Sequence, residues 1–132
     1  MNSLFARLTS LPIVAFSVLF ACATAQAATC SDVELTLANY TGHEIKMTQL
    51  QYRKDGVWNT KTGIFGVDGH QKLEDGWGIT YTINLPGVDG ESTDFKLKYY
   101  LHAGGAQWDG PYYEYNGAFT CNDGDVVFME ID

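Results

Sequence analysis

The chain has 132 residues with 16 acidic and 8 basic side chains, so its formal net charge at neutral pH is −8. A surface this acidic repels phosphate backbones, and we therefore expect no nucleic-acid partner. Anionic lipid headgroups are also repelled unless the charge is segregated locally, which makes membrane contact possible but not favoured. The length allows one domain with one hydrophobic core.

Residues 1–27 have the features of a secretory signal peptide. Arg7 supplies positive charge, and an apolar stretch that is too short to span a bilayer begins at Leu11. The small residues Ala25 and Ala27 then predict cleavage before Ala28. We therefore expect a secreted or periplasmic protein.

The expected mature chain, residues 28–132, forms one β-sandwich domain in this prediction. An alternative is lipoprotein processing at Cys22, which would anchor the protein to a membrane by one acyl chain. The bulky Phe20 disfavours lipoprotein processing at Cys22.

Cys30 and Cys121 are the two cysteines that remain after cleavage. An even pair in an exported chain predicts a disulfide bond. By restricting the unfolded chain, a bond across so long a loop stabilises the fold by about 4.5 kcal/mol at most. The pairing leaves no thiol for catalysis or for a metal.

Apolar and polar residues alternate along several segments, which predicts half-buried strands. The first covers residues 33–37, with its odd positions inward. In the second, the inward residues change phase between two pairs: Ile45 and Met47, then Leu50 and Tyr52. One extra residue near Thr48–Gln49, a β-bulge, explains the change. Asp55–Gly56 predicts a tight hairpin after this strand.

Two further strands are predicted over residues 77–85 and 95–102. Their inward sets are Trp77, Ile79, Tyr81, Ile83 and Leu85 in the first and Phe95, Leu97, Tyr99 and Leu101 in the second. Residues 126–131 are apolar on both faces, which predicts either a central strand or one whose Val126–Phe128 face lies beneath a long loop.

Six Asp-Gly pairs separate these segments, and no segment has helical periodicity beyond one turn. This pattern predicts an all-β fold, an antiparallel β-sandwich of seven or eight strands. The Cys30–Cys121 disulfide would join the first strand to the penultimate one.

No group of residues predicts catalysis, a metal site or a cofactor. The acidic turn that contains Asn122, Asp123 and Asp125 lacks the other ligands of known calcium loops, and Asp-Gly forms a turn without an ion. The mature chain has three scattered histidines: His43, His70 and His102. It has two serines and no nucleophile motif, so we expect a protein that is not an enzyme.

The aromatic segment at residues 99–119 permits two interpretations. Trp108, Tyr112 and Tyr100 could bind a ligand by stacking, with Glu114 taking hydroxyl groups. Alternatively, the rings close the open end of the sandwich and keep their polar tips in water. In that case a strand that begins at Tyr112 would bury Tyr113 and Tyr115 by alternation.

The function expected from these features is that of a small exported binding domain, possessing no enzymatic activity and acting through aromatic loop residues. Its partner would be a protein or a saccharide, and a role like that of an inhibitor suits such a domain.

An alternative comes from the stretch "VELTLANYTGHEI", which is similar to the start of aegerolysin-like and actinoporin-like proteins. This resemblance implies a membrane-active protein that binds lipid or forms pores. The chain lacks the helix-forming N-terminal segment of actinoporins and the tryptophan-rich motifs of aegerolysins. Asn39-Tyr40-Thr41 in this stretch is also a glycosylation sequon.

Overall fold

The computed structural model describes residues 26–132. The predicted signal peptide lies outside the described residues except for its last two positions, and so does Cys22. The strands are β1 (Cys30–Asn39), β2 (Ile45–Lys54), β3 (Val57–Thr60), β4 (Gln71–Leu73), β5 (Gly78–Leu85), β6 (Ser92–Thr93), β7 (Phe95–Gly104), β8 (Gln107–Tyr115), β9 (Phe119–Thr120) and β10 (Val126–Ile131). Within residues 26–132 no helix is long and apolar enough to cross a membrane.

Two sheets form the sandwich. In the three-stranded small sheet the order is β10-β1-β5, and in the five-stranded large sheet it is β3-β2-β7-β8, with β4 also paired to β2. The short strands β6 and β9 pair with each other. The predicted all-β sandwich is confirmed, but with ten strands, because β4, β6 and β9 are too short to produce a visible alternation. One pair, β1 with β10, is parallel.

The core lies between the inner faces of the two sheets. It contains the alternating residues predicted for four strands, including Leu35 of β1, Leu50 of β2, Ile83 of β5 and Leu97 of β7. The inward assignment of Trp77 is wrong: this residue precedes β5, and its side chain is 67% exposed. Trp77 lies in the turn that follows β4, where its backbone N–H donates to the Glu74 carbonyl.

The predicted bulge in β2 and the predicted hairpin after it are both confirmed. Pairing of β2 with β7 shifts between Met47 and Gln49, so Thr48 is the inserted residue. Asp55 and Gly56 then adopt positive φ angles of 52° and 74° in the turn to β3. These are the backbone angles that an Asp-Gly hairpin turn requires.

Strand β10 differs from its prediction. It pairs with β1 at the edge of the small sheet, and its Val126 and Phe128 side chains are exposed, the latter by 55%. The strand is therefore neither central nor covered on that face. Its other face follows the alternation, because Met129 and Ile131 enter the core.

Cys30 and Cys121 form the predicted disulfide, and both are fully buried. The bond joins the first residue of β1 to the residue that follows β9. A buried disulfide of this kind is consistent with an extracellular or periplasmic location.

Asn39 of the predicted sequon is fully buried at the end of β1. Its Nδ2 donates to the carbonyls of His43 at 2.7 Å and Leu73 at 2.9 Å. Its Oδ1 accepts from the N–H and the hydroxyl of Thr41. Because the amide is enclosed and satisfied, the folded protein cannot carry a glycan on this side chain.

Candidate functional site

The four predicted binding residues lie on strands rather than on loops. Tyr100 belongs to β7, and Trp108, Tyr112 and Glu114 belong to β8. Residues paired directly across two antiparallel strands point to the same face. Since Trp108 is paired with His102, which lies on the outer face of β7, the Trp108 ring also faces outward, as Tyr100 does.

Tyr112 and Glu114 face the other way. Tyr112 is paired with buried Tyr99, and the two ring centroids are 5.8 Å apart. Glu114 is paired with buried Leu97. The structure therefore brings Tyr100 and Trp108 to one face of the large sheet and separates them from Tyr112 and Glu114.

The expected burial of Tyr113 and Tyr115 is wrong. They are paired with Lys98 and Lys96 on the outer face, and their side chains are 46% and 54% exposed. β8 lies at the edge of the large sheet and pairs with β7, so the register between these two strands sets the direction in which the Tyr113 and Tyr115 side chains point. These rings do not close an end of the core.

Two ammonium groups converge on the Trp108 ring. Lys46 Nζ lies 4.7 Å from the ring centroid and Lys72 Nζ lies 5.2 Å from it. The His102 ring is 5.0 Å away, centroid to centroid, and Lys46 Nζ is also 5.5 Å from the Tyr100 centroid. We refer to Trp108, Lys46, Lys72, Tyr100 and His102 as the Trp108 cluster.

Strand pairing places the two lysines of this cluster together. Lys46 of β2 is directly opposite Lys72 of β4, and like charges in such positions destabilise a sheet. Contact between each ammonium group and the tryptophan ring offsets part of that repulsion. The ring thus holds two cations side by side in contact with solvent.

A second set of rings and cations surrounds Trp58 of β3. Arg53 Cζ and Lys96 Nζ lie 4.6 Å and 4.8 Å from the Trp58 centroid. The Tyr115 ring packs against Trp58 with centroids 6.0 Å apart, and Lys96 Nζ is 5.8 Å from the Tyr113 ring. We refer to these five residues as the Trp58 cluster.

Polar side chains lie between the two clusters. Gln49 and Gln51 each donate to the Thr60 hydroxyl at 3.4 Å, and Lys98 is paired with Gln49 across the sheet. These four residues and the two clusters make up the outer face of the large sheet, called the outer face below.

The outer face concentrates positive charge on an acidic protein. Five of the eight basic residues of the chain lie on it: Lys46, Arg53, Lys72, Lys96 and Lys98. Arg53 is neutralised by Asp94, with Nε to Oδ1 at 2.9 Å, and this is the one salt bridge within residues 26–132. The four lysines therefore have no carboxylate at salt-bridge distance in the described part of the chain.

Glu114 lies in a different electrostatic environment on the inner side of β8. Burial raises the pKa of its carboxyl, the N–H of Tyr115 lowers it, and the charge of Asp132 raises it. Burial also raises the pKa of Tyr99, with Glu114 adding to the rise. A carboxyl that resists ionisation beside core residues is not part of the outer face.

The acidic turn after Cys121 uses its carboxylates internally. Asp123 Oδ1 accepts the Ser31 N–H at 2.7 Å, and Asp125 Oδ2 accepts the Asn122 N–H at 2.8 Å. Asp89 and Asp123 also lie close to Cys30, but the Cys30 sulfur is part of the disulfide and offers no thiolate ligand. The Asp125 carboxylate thus stabilises the turn itself, and the Asp123 carboxylate holds the turn against β1.

The residues that sequence reasoning missed are Lys46, Lys72, Trp58 and Lys96. Lys46 and Lys96 lie at outward positions of predicted strands, and Trp58 follows the predicted hairpin turn, but Lys72 lies on β4, which is too short to show an alternation. The strand order that makes β2 the neighbour of β4, β3 and β7 could not be read from the sequence.

Comparison of the chain with protein-family models, curated proteins and solved structures finds no match.

Proposed function

We propose that the protein is a non-enzymatic binding domain, exported from the cell, that captures a protein or a saccharide through the outer face. The observation that carries this proposal is the pair of solvent-facing ring and cation clusters around Trp108 and Trp58. Tryptophan, tyrosine and arginine are the side chains that dominate the energy of protein interfaces, and rings with a few polar groups also line ligand sites.

The shape of the site favours binding over chemistry. The outer face is an open sheet surface, and a reacting centre there would stay in contact with bulk water. The stabilisation that active sites derive from a water-excluded environment is weak in such a place. Contact, rather than a reaction, is what this surface can supply.

The test is Trp108→Ala, assayed for thermal stability and for binding to immobilised saccharides and extracellular proteins. We expect binding to be lost while the thermal transition changes little, because the ring contacts other outer-face side chains. Phe128→Ala is the matched control, since this ring is exposed on the opposite sheet. Loss of stability with unchanged binding would reject the site.

A membrane-active role is the second candidate, and exposed Tyr40 and Trp77 favour it. The two side chains follow β1 and precede β5 at the same end of the small sheet, where Asn39 N–H donates to the Trp77 carbonyl. Tyrosine and tryptophan prefer the membrane interface. This role predicts a blue shift of tryptophan fluorescence on vesicles that is reduced by Trp77→Ala, and no binding to neutral or anionic vesicles would remove it.

A further inference from the structure

We infer that the ligand of the outer face is an acidic polysaccharide, a linear glycan that carries carboxylate or sulfate groups. This inference rests on the proposed binding function of the same face. It begins from charge: the chain has twice as many acidic as basic residues, yet five of the eight basic residues lie on this one surface. A polyanion is the complementary partner of such a surface.

The lysines are arranged for an external anion. Lys46 and Lys72 repel each other across the β2–β4 pair, and no carboxylate within residues 26–132 forms a salt bridge with either. The contacts to Trp108 order both side chains before any ligand binds. Ordered cations lose less conformational entropy on binding, so they favour the bound state.

A ligand that contacts both clusters has to be extended. Lys96 and Tyr100, which belong to different clusters, are four residues apart on β7, a distance of about 13 Å along a strand. A small anion such as free phosphate cannot touch both clusters. A linear polymer lying along β7 can reach both.

The polar side chains between the clusters favour a glycan over a bilayer. Gln49, Gln51 and Thr60 present amides and a hydroxyl, which match sugar hydroxyls and would lose hydrogen bonds in hydrocarbon. Exposed aliphatic side chains that could insert into a membrane are not among the residues that define the face.

The remaining acidity of the molecule disfavours nucleic acid. Duplex DNA carries about one charge per 1.7 Å of its axis, so it would also meet the acidic surface around this face. A glycan with one charge per sugar or per disaccharide places fewer anions there. The disulfide, which is consistent with an extracellular or periplasmic location, also fits a glycan partner.

The experiment compares polygalacturonate with its methyl ester, which is the same chain without the charges. Titration calorimetry with the disulfide-bonded protein should show binding to polygalacturonate that weakens as salt rises from about 0.05 M to about 0.5 M. The methyl ester should bind about tenfold more weakly, or not measurably.

Two double variants with the same change of charge locate the contact. Lys46→Gln with Lys72→Gln should weaken binding about tenfold. Lys54→Gln with Lys61→Gln, which lie outside both clusters, should leave the affinity within about twofold. Thermal unfolding of each variant shows whether the fold is kept.

The outcomes separate the two proposals. Equal binding of polygalacturonate and its ester, both lost in Trp108→Ala, would overturn the acidic ligand and leave the binding face standing. Tighter binding of a single-stranded oligonucleotide or of phosphatidylglycerol vesicles would overturn the glycan as partner. Absence of binding to every probe would overturn the inference, while protein capture that depends on Trp108 would still support the proposed function.

Discussion

A single buried amide, that of Asn39, joins three segments at one end of the sandwich. Its two donors satisfy carbonyls at His43 and Leu73, and its oxygen accepts from Thr41. A buried polar group that loses its partner pays the desolvation free energy in full. The residue is thus structural, and the turn-forming motif that resembles membrane-active proteins serves the fold in this chain.

Asn39→Ala should lower the free energy of unfolding by about 3 kcal/mol, because it leaves the buried Leu73 carbonyl and the partly buried His43 carbonyl without these donors. Urea denaturation of the disulfide-bonded protein measures this change. Asn59→Ala is the control, since the Asn59 side chain donates to the Val57 carbonyl two residues away at an exposed position. Equal effects of the two substitutions would contradict the role of Asn39.

Glu114 gives the protein a specific pH dependence. Its pKa is raised above the ordinary value of 4.5, chiefly by burial, so the folded state holds the proton more tightly than the unfolded state. The stabilising contribution of this group is complete below pH 4.5 and is lost as the pH rises through the raised pKa.

Glu114→Gln removes this titration. We expect the variant to gain stability relative to the native protein as the pH increases from about 4 to about 7, in denaturant melts. Glu130→Gln, at an exposed position of β10, is the control for the removal of one carboxylate. A difference that runs in the opposite direction would show that the folded protein stabilises the ionised Glu114 carboxylate.

At the scale of elements, the bulge in β2 allows the inward residues on both sides of it, such as Met47 and Leu50, to lie on the same face of the sheet. Thr48 is the extra residue between Met47 and Gln49, and without it the alternation from Met47 to Leu50 would be regular. Deletion of a bulged residue leaves the inward set of a strand unchanged, whereas deletion elsewhere reverses the direction of everything beyond it.

Deleting Thr48 should therefore yield a folded domain, and deleting Gln51 should not. The second deletion places Leu50 and Tyr52 on opposite faces and removes one large side chain from the core, at a cost of about 3–5 kcal/mol. Amide dispersion in NMR spectra and denaturant melts distinguish the two proteins. Equal loss of stability in both would contradict the assignment of Thr48 as the inserted residue.

Local alternation was enough to predict β1, β2, β5 and β7, because each has one face on the core and one in water. Alternation failed where the pairing with neighbouring strands decides the direction or exposure of a side chain. The directions of Tyr113 and Tyr115 depend on register with β7, and the exposure of Val126 and Phe128 depends on the edge position of β10. The two clusters were likewise not predicted, since their members come from five strands whose order no local pattern encodes.

At the scale of the whole molecule, the disulfide and the distribution of charge are the dominant features. The bond links positions 91 residues apart and restricts the unfolded chain strongly. Replacing Cys30 and Cys121 together by Ala should lower the free energy of unfolding by about 4 kcal/mol. The comparison uses guanidinium melts of native and variant proteins, and an unchanged midpoint would contradict this estimate.

Segregation of charge explains how one acidic protein could attract a polyanion at one place only. The four lysines without salt bridges lie together on the outer face, and the acidic remainder would repel the same ligand from other surfaces. Binding would then have a defined face and a defined direction along β7.

The most direct test of glycan binding by the outer face is NMR mapping of amide and indole resonances during titration with an oligogalacturonate. We predict shifts in β2, β3, β4, β7 and β8, including the indole N–H groups of Trp108 and Trp58, with β10 resonances near Phe128 unmoved. Shifts confined to β10 and the small sheet, or no shifts at saturating ligand, would contradict it.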